Sequence, residues 1–142
     1  LGTMRVNEEI DALTTMGIDP MEFLVVPRML ALMVMMPLLV FYADLAGILG
    51  GMVVGVGGLD LGRVEYLTRT VNAVSLTQIV IGVVKGIVFG AMVAVAGCMR
   101  GMQCGNSSQA VGLAATSAVV TSIVLIIVGD GLFAVILNVF GI

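Results

Sequence analysis

The 142-residue sequence has no histidine and no tryptophan, two cysteines, three prolines and only 11% charged residues. Without histidine, Cys98, Cys104 and the carboxylates are the only plausible metal ligands, and no group of them has zinc or iron spacing, so neither a catalytic metal nor a histidine base is expected. Two cysteines do not make a secreted disulfide framework; both fall where a short polar loop is expected, as free thiols. Charge is scarcer still. A soluble domain carries about 25% charged residues, whereas this chain sets 11% against 60% hydrophobic residues, too few to wet so apolar a core. Disorder and soluble enzyme classes are thereby excluded, and an all-α integral membrane protein is expected. The net charge of −3 is scattered, with no basic patch, so nucleic acid is not an expected partner. The chain opens on Leu1 with a polar stretch to Pro20 rather than a signal peptide, and is expected to begin in the middle of a longer protein.

Val6, Ile10, Leu13 and Gly17 stand at helical spacing among Glu8, Glu9, Asp11, Thr14 and Thr15, which predicts a short amphipathic helix over Val6–Met16. Asn7 is its expected N-cap, and Gly17 suits the left-handed position after its end. Asp19-Pro20-Met21-Glu22 has the residue types of a new start: an Asp cap, Pro at the first helical position and Glu at the third. From Phe23 to Val56 the only charges are Arg28 and Asp44, and the run exceeds the roughly 20 apolar residues that cross a bilayer. A first span is predicted over 20–57, tilted or kinked at Pro27 and Pro37. An extramembrane connection follows over 58–78, a second span over 79–99, a short loop over 100–110 and a third span over 111–140. Arg5, Arg28 and Arg100 fall on one side of such a membrane chain and Arg63 and Arg69 on the other, which places the N-terminal helix and the Arg100 loop in the cytoplasm.

Two patterns within the spans carry alternatives. Gly82, Gly86 and Gly90, and likewise Gly47, Gly51 and Gly55, form small-xxx-small ladders that suit either tight helix packing or a face that slides during transport. Asp44, Lys85 and Asp130 are the ionisable groups inside the spans. Counted along each helix from its cytoplasmic end, they lie about 30, 21 and 28 Å in. That common depth in the outer third of the membrane fits either interfacial placement or a polar lining for a substrate passage. Met29, Met33, Met35 and Met36 suit adaptable packing or a cavity that accepts acyl chains. The glycines at 55, 57 and 58 are followed by no Gly-Lys-Ser/Thr, so no phosphate-binding loop is present and any ATP used is hydrolysed elsewhere.

The stretches Leu1–Val6, Glu8–Leu13, Met16–Pro20 and Leu24–Arg28, together with Ala43–Gly47 and Val111–Thr116 through Asp130, resemble the MlaE/YrbE family of permease subunits of lipid-transporting ABC systems. A family permease is about twice this length, and the chain looks like its C-terminal half. The resemblance implies that the N-terminal segment, 1–19, is the cytoplasmic coupling helix, with Glu8, Glu9, Asp11, Leu13, Met16 and Gly17 as ATPase-coupling residues. It further implies a permease homodimer, two ABC ATPase subunits that hold the ATP and magnesium, and a periplasmic lipid-binding MCE-domain protein. In Gram-negative bacteria a STAS-domain protein joins the ATPase. The cargo would be phospholipid or a related lipid, moved between a bacterial inner membrane and the periplasmic partner in the service of outer-membrane asymmetry. No cofactor is expected in the chain itself. Two other classes remain: a secondary transporter or channel, which would more naturally show mid-membrane polar residues and internal repeats, and a purely structural membrane subunit, which no copurifying ATPase would accompany.

Overall fold

The computed structural model describes residues 1–141, in which six α-helices and one π-helical turn follow one another without strands: α1 (Gly2–Val6), α2 (Glu9–Thr15), the π turn (Met21–Val25), α3 (Val26–Gly58), α4 (Arg63–Ala73), α5 (Leu76–Met102) and α6 (Ser108–Phe140). Three stretches, Met21–Gly58, Leu76–Met102 and Ser108–Phe140, are long and apolar enough to cross a membrane. Their outward surfaces are largely apolar, as a helix facing hydrocarbon requires. The chain packs as two units, Leu1–Met33 with Phe89 onward, and Val34–Val88.

In the first unit the expected amphipathic helix starts at Glu9 rather than Val6, and a separate short helix, α1, precedes it. Asn7 ends α1 instead of capping the next helix, and Glu8 precedes α2 in the left-handed region at φ 59°. The break has a packing cause. It lets Gly2 seat on the Cys104 Sγ and Val111 side chains, at 3.4 and 3.5 Å from where a Cβ would stand, while Ile10 turns inward to become 4% exposed. Gly17, at φ 77°, takes the left-handed conformation that glycine tolerates at no steric cost. Asp19 then caps the next helix: its Oδ1 accepts the Met21 N–H at 2.9 Å. The first turn is π rather than α. Pro27 has no N–H for the carbonyl four residues back, and its ring crowds that carbonyl, so widening Met21–Val25 accommodates the proline. Further along, Phe89 and Phe133 meet edge to face at 5.9 Å, and Gly129 admits Met92 and Phe89 against α6.

In the second unit the expected extramembrane connection contains an 11-residue helix, α4. The Glu65–Arg69 pair, 2.7 Å apart at i,i+4, supports it only weakly at this exposure. Tyr66 anchors it: its hydroxyl donates to the Ile48 carbonyl at 3.0 Å, and its ring lies over Gly55. Val64, Leu67 and Val71 form an exposed apolar stripe along another side of α4, at the i, i+3, i+7 spacing of an amphipathic helix. Ser75 and Gln78 then start α5 reciprocally, Ser75 Oγ accepting the Gln78 N–H and Gln78 Oε1 accepting the Ser75 N–H, each at 3.3 Å. The second span therefore begins three residues earlier than its apolar run and ends at Met102 rather than Met99. Cys98 is consequently a buried helical residue; Cys104 alone of the two lies in the loop, also buried, and both are free thiols. Ser107 caps α6 by accepting the Ala110 N–H at 3.1 Å.

The glycine ladders divide. A Cβ on Gly51 would stand 2.6 Å from the Tyr66 hydroxyl, and one on Gly86 would stand 3.1 Å from Val40 and 3.5 Å from the Pro37 Cα. Gly90 is buried. Gly47 and Gly82 have open space beside them, so neither ladder is one continuous contact face within this chain. We expect Gly51→Ala to push the Tyr66 hydroxyl off the Ile48 carbonyl and destabilise the protein by about 1–3 kcal/mol. Gly47→Ala should be within about 0.5 kcal/mol of the parent, or slightly stabilising. Thermal unfolding in detergent compares the two, and equal Tm values would contradict the Tyr66 anchor.

Candidate functional site

At the N-terminal end, five carboxylates are exposed along a short length of chain: Glu8, Glu9, Asp11, Asp19 and Glu22. Helix α2 and the Glu8 just before it present the first three because the opposite side of the helix is used for attachment, with Ile10 buried, Leu13 half-buried and the Thr14 hydroxyl bonded back to the Ile10 carbonyl at 3.0 Å. Acids in the first turn also suit the helix dipole. Met16, 67% exposed, stands beside them with Gly17, giving an acidic surface with an apolar edge. Arg28 reaches back from α3 to the Met4 sulfur at 3.3 Å, which ties α1 to the start of the first span. Glu8, Glu9, Asp11, Leu13, Met16 and Gly17 are the residues that the family resemblance implied here; Asp19 and Glu22 add to the same acidic stretch and were read only as helix-start residues.

The intramembrane ionisable groups are not gathered in one place by any contact of Asp44. Its carboxylate has no hydrogen bond or ion pair among the described residues, so it is not the partner of Lys85. Asp44 is exposed on α3 and borders a groove of about 540 Å³, which Tyr66 from α4 and Gln78 and Ile79 from α5 also line. Lys85 is half-buried on α5, and Asp130 is exposed on α6 between Gly129 and Gly131. Tyr66 and Gln78 were missed as site residues. Tyr66 meets Asp44's helix only through the fold, and the one hint was a glycine pair, Gly51 and Gly55, wide enough for an aromatic ring.

The methionines also divide. Met29 joins Met21, Met99 and Met102 around an almost wholly apolar cleft of about 260 Å³ beside Cys98, whereas Met35 is exposed and Met33 and Met36 are half-buried on α3. Among the described residues no three His, Cys, Asp or Glu side chains cluster as a metal site would need.

Known proteins align with this sequence along nearly its whole length. The family model described as Permease MlaE matches residues 1–136. A probable ABC transporter permease protein of Rickettsia felis is 41% identical over 130 residues, covering 92% of this chain and 50% of the relative. A probable ABC transporter permease protein of Synechocystis is 34% identical over 92% of this chain and 49% of its own length. The protein TRIGALACTOSYLDIACYLGLYCEROL 1, chloroplastic, of Arabidopsis thaliana is 32% identical over 92% of this chain and 37% of its own. The chain thus spans about half the length of the bacterial relatives it matches. A match that begins at the exposed acidic helices and runs through all three long apolar ones leaves one assignment: the chain belongs to the MlaE permease family.

Proposed function

We propose that this chain is part of the permease subunit of an ATP-driven lipid transporter in a bacterial inner membrane, with ATP and magnesium held by a separate ABC ATPase. The observation that carries the reading is the family match across residues 1–136, in a chain whose three long apolar helices follow an exposed acidic helix. Lipid cargo is supported by the name of the Arabidopsis relative, which is that of a galactolipid, and by apolar clefts that suit acyl chains better than polar solutes. A second permease copy, a periplasmic MCE-domain protein and a STAS-domain protein complete the proposed assembly. Asp44, Lys85 and Asp130 are proposed to border the lipid pathway.

In this reading α2 is the coupling helix. A rigid-body displacement of the ATPase is transmitted only if the docking element is short, anchored and joined directly to a span. Buried Ile10 anchors it, and the capped turn at Asp19 joins it to α3. The experiment is to purify the permease by affinity tag: an ATPase should copurify and hydrolyse ATP faster when phospholipid is supplied. A permease that carries no ATPase, or an ATPase indifferent to lipid, would overturn the proposal.

Three crossings put α2 and the 103–107 loop on one side and α4 on the other, and the count of Arg5, Arg28 and Arg100 against Arg63 and Arg69 supports the first side as the cytoplasmic one. The native thiols report poorly on this because both are buried. Introduced cysteines at exposed positions serve better, and Thr68 on α4 and Asn106 in the loop are both exposed. An impermeant maleimide added to intact spheroplasts should label Thr68→Cys and spare Asn106→Cys. Labelling of Asn106→Cys but not Thr68→Cys would invert the topology.

A further inference from the structure

Asp44 is the only charge in α3 beyond Arg28. A carboxylate left facing hydrocarbon costs on the order of 2–3 kcal/mol on insertion scales, so a compensating cation, water or substrate contact is required. Within the second packing unit, Asp44 borders the groove of about 540 Å³, a volume in the range of small-molecule sites, roughly 300–1,000 Å³. Phe41, Leu45 and Ile48 form its apolar wall. The polar atoms in the lining have a definite sense. The Tyr66 hydroxyl gives its proton to the Ile48 carbonyl, so its oxygen faces further partners as an acceptor. Gln78 commits its Oε1 to the Ser75 N–H, which leaves its amide N–H groups as neutral donors. Among the described residues no lysine or arginine lines the groove. An anion and a hydroxyl acceptor beside an apolar wall complement a primary ammonium on an amphiphile, and they disfavour a group of net negative charge.

We propose that this groove binds the head of an amine-bearing zwitterionic phospholipid, of the phosphatidylethanolamine type. The Asp44 carboxylate is the counter-ion of the ammonium, the Tyr66 oxygen is a second acceptor, a Gln78 N–H meets the phosphate, and an acyl chain lies along Phe41, Leu45 and Ile48. The inference rests on the lipid reading above and adds head-group selectivity to it. A quaternary ammonium would fit less well, because it has no N–H to give the two acceptors.

The test uses the complete permease in its complex, in nanodiscs doped with photoactivatable phosphatidylethanolamine, phosphatidylcholine or phosphatidylglycerol at equal mole fraction, with cross-linked peptides mapped. The ethanolamine probe should label peptides containing residues 41–48 and 74–79 about fivefold or more above the glycerol probe, the discrimination expected of one charge-assisted contact. Asp44→Asn should reduce that labelling to the glycerol level, while Asp44→Glu should retain at least about half. Equal labelling by the three probes, no lipid label in the groove, or unchanged ethanolamine labelling in Asp44→Asn would each overturn the proposal. Should Asp44→Asn fail to assemble, the comparison of probes on the parent protein decides it alone. ATP-dependent lipid transfer is measured on the same parent complex. Transfer without head-group discrimination in the groove sinks the selectivity site only, whereas no transfer of any lipid sinks the reading beneath it.

Discussion

Reversing the charge at Glu8 and Glu9 together, as Glu8→Lys with Glu9→Lys, should reduce lipid-stimulated ATP hydrolysis by the assembled complex about tenfold or more. Both side chains are exposed, and the helix that carries them is held from its other side by Ile10, so the reversal leaves the attachment of α2 in place and alters only what it presents. With Asp11 they form a concentrated negative surface whose complement on a partner is basic, and like charges brought together across an interface cost several kcal/mol where they are desolvated. A tenfold loss needs only about 1.4 kcal/mol of that. Glu8 carries one complication: at φ 59° a lysine is no better suited than glutamate, so Glu8→Gly with Glu9→Lys provides a control that relieves the backbone while reversing one charge. Unchanged ATPase assembly, hydrolysis and transport in the double reversal would remove α2 from the coupling path.

The second large effect is expected at Lys85. Replacing it by methionine keeps the length and apolar stem while removing the charge, and Asp130→Asn does the same for the carboxylate on α6. In the lipid-transport reading proposed above, the Lys85 ammonium meets a lipid phosphate, a charge-assisted contact that methionine cannot make. We expect phospholipid transfer to fall about tenfold or more in Lys85→Met at normal expression, and to fall in Asp130→Asn as well. Parent rates in both variants would reduce these residues to interfacial placement.

How far the fold was legible follows from which interactions are local. The three apolar helices were readable because composition alone decides whether a helix can face hydrocarbon. Gly17 and Asp19 were readable because their signals, a left-handed glycine and a side-chain cap, involve only neighbouring residues. Helix α4 was hidden by its polar residues, which outweigh Val64, Leu67 and Val71 in composition, and its anchor reaches across 18 positions from Tyr66 to Ile48. The break at Glu8 was hidden for the same reason: it is set by where Gly2 packs on Cys104 and Val111, not by any propensity of Asn7 or Glu8. At the site, the acidic face of α2 was visible as a periodic pattern. The expected company of Asp44 was not, since matched depth along separate helices says nothing about which way each side chain turns; the groove it borders is built with Tyr66 and Gln78, two residues that sequence spacing had assigned to a connection.

The central claim, that this chain serves an ATP-driven lipid permease, is tested most directly by following labelled phospholipid in proteoliposomes that contain the purified complex with its ATPase. The account requires movement of lipid into or out of the bilayer that depends on ATP and disappears when the ATPase is inactivated. Lipid movement at the same rate without ATP, or ATP hydrolysis that moves no lipid, would contradict it.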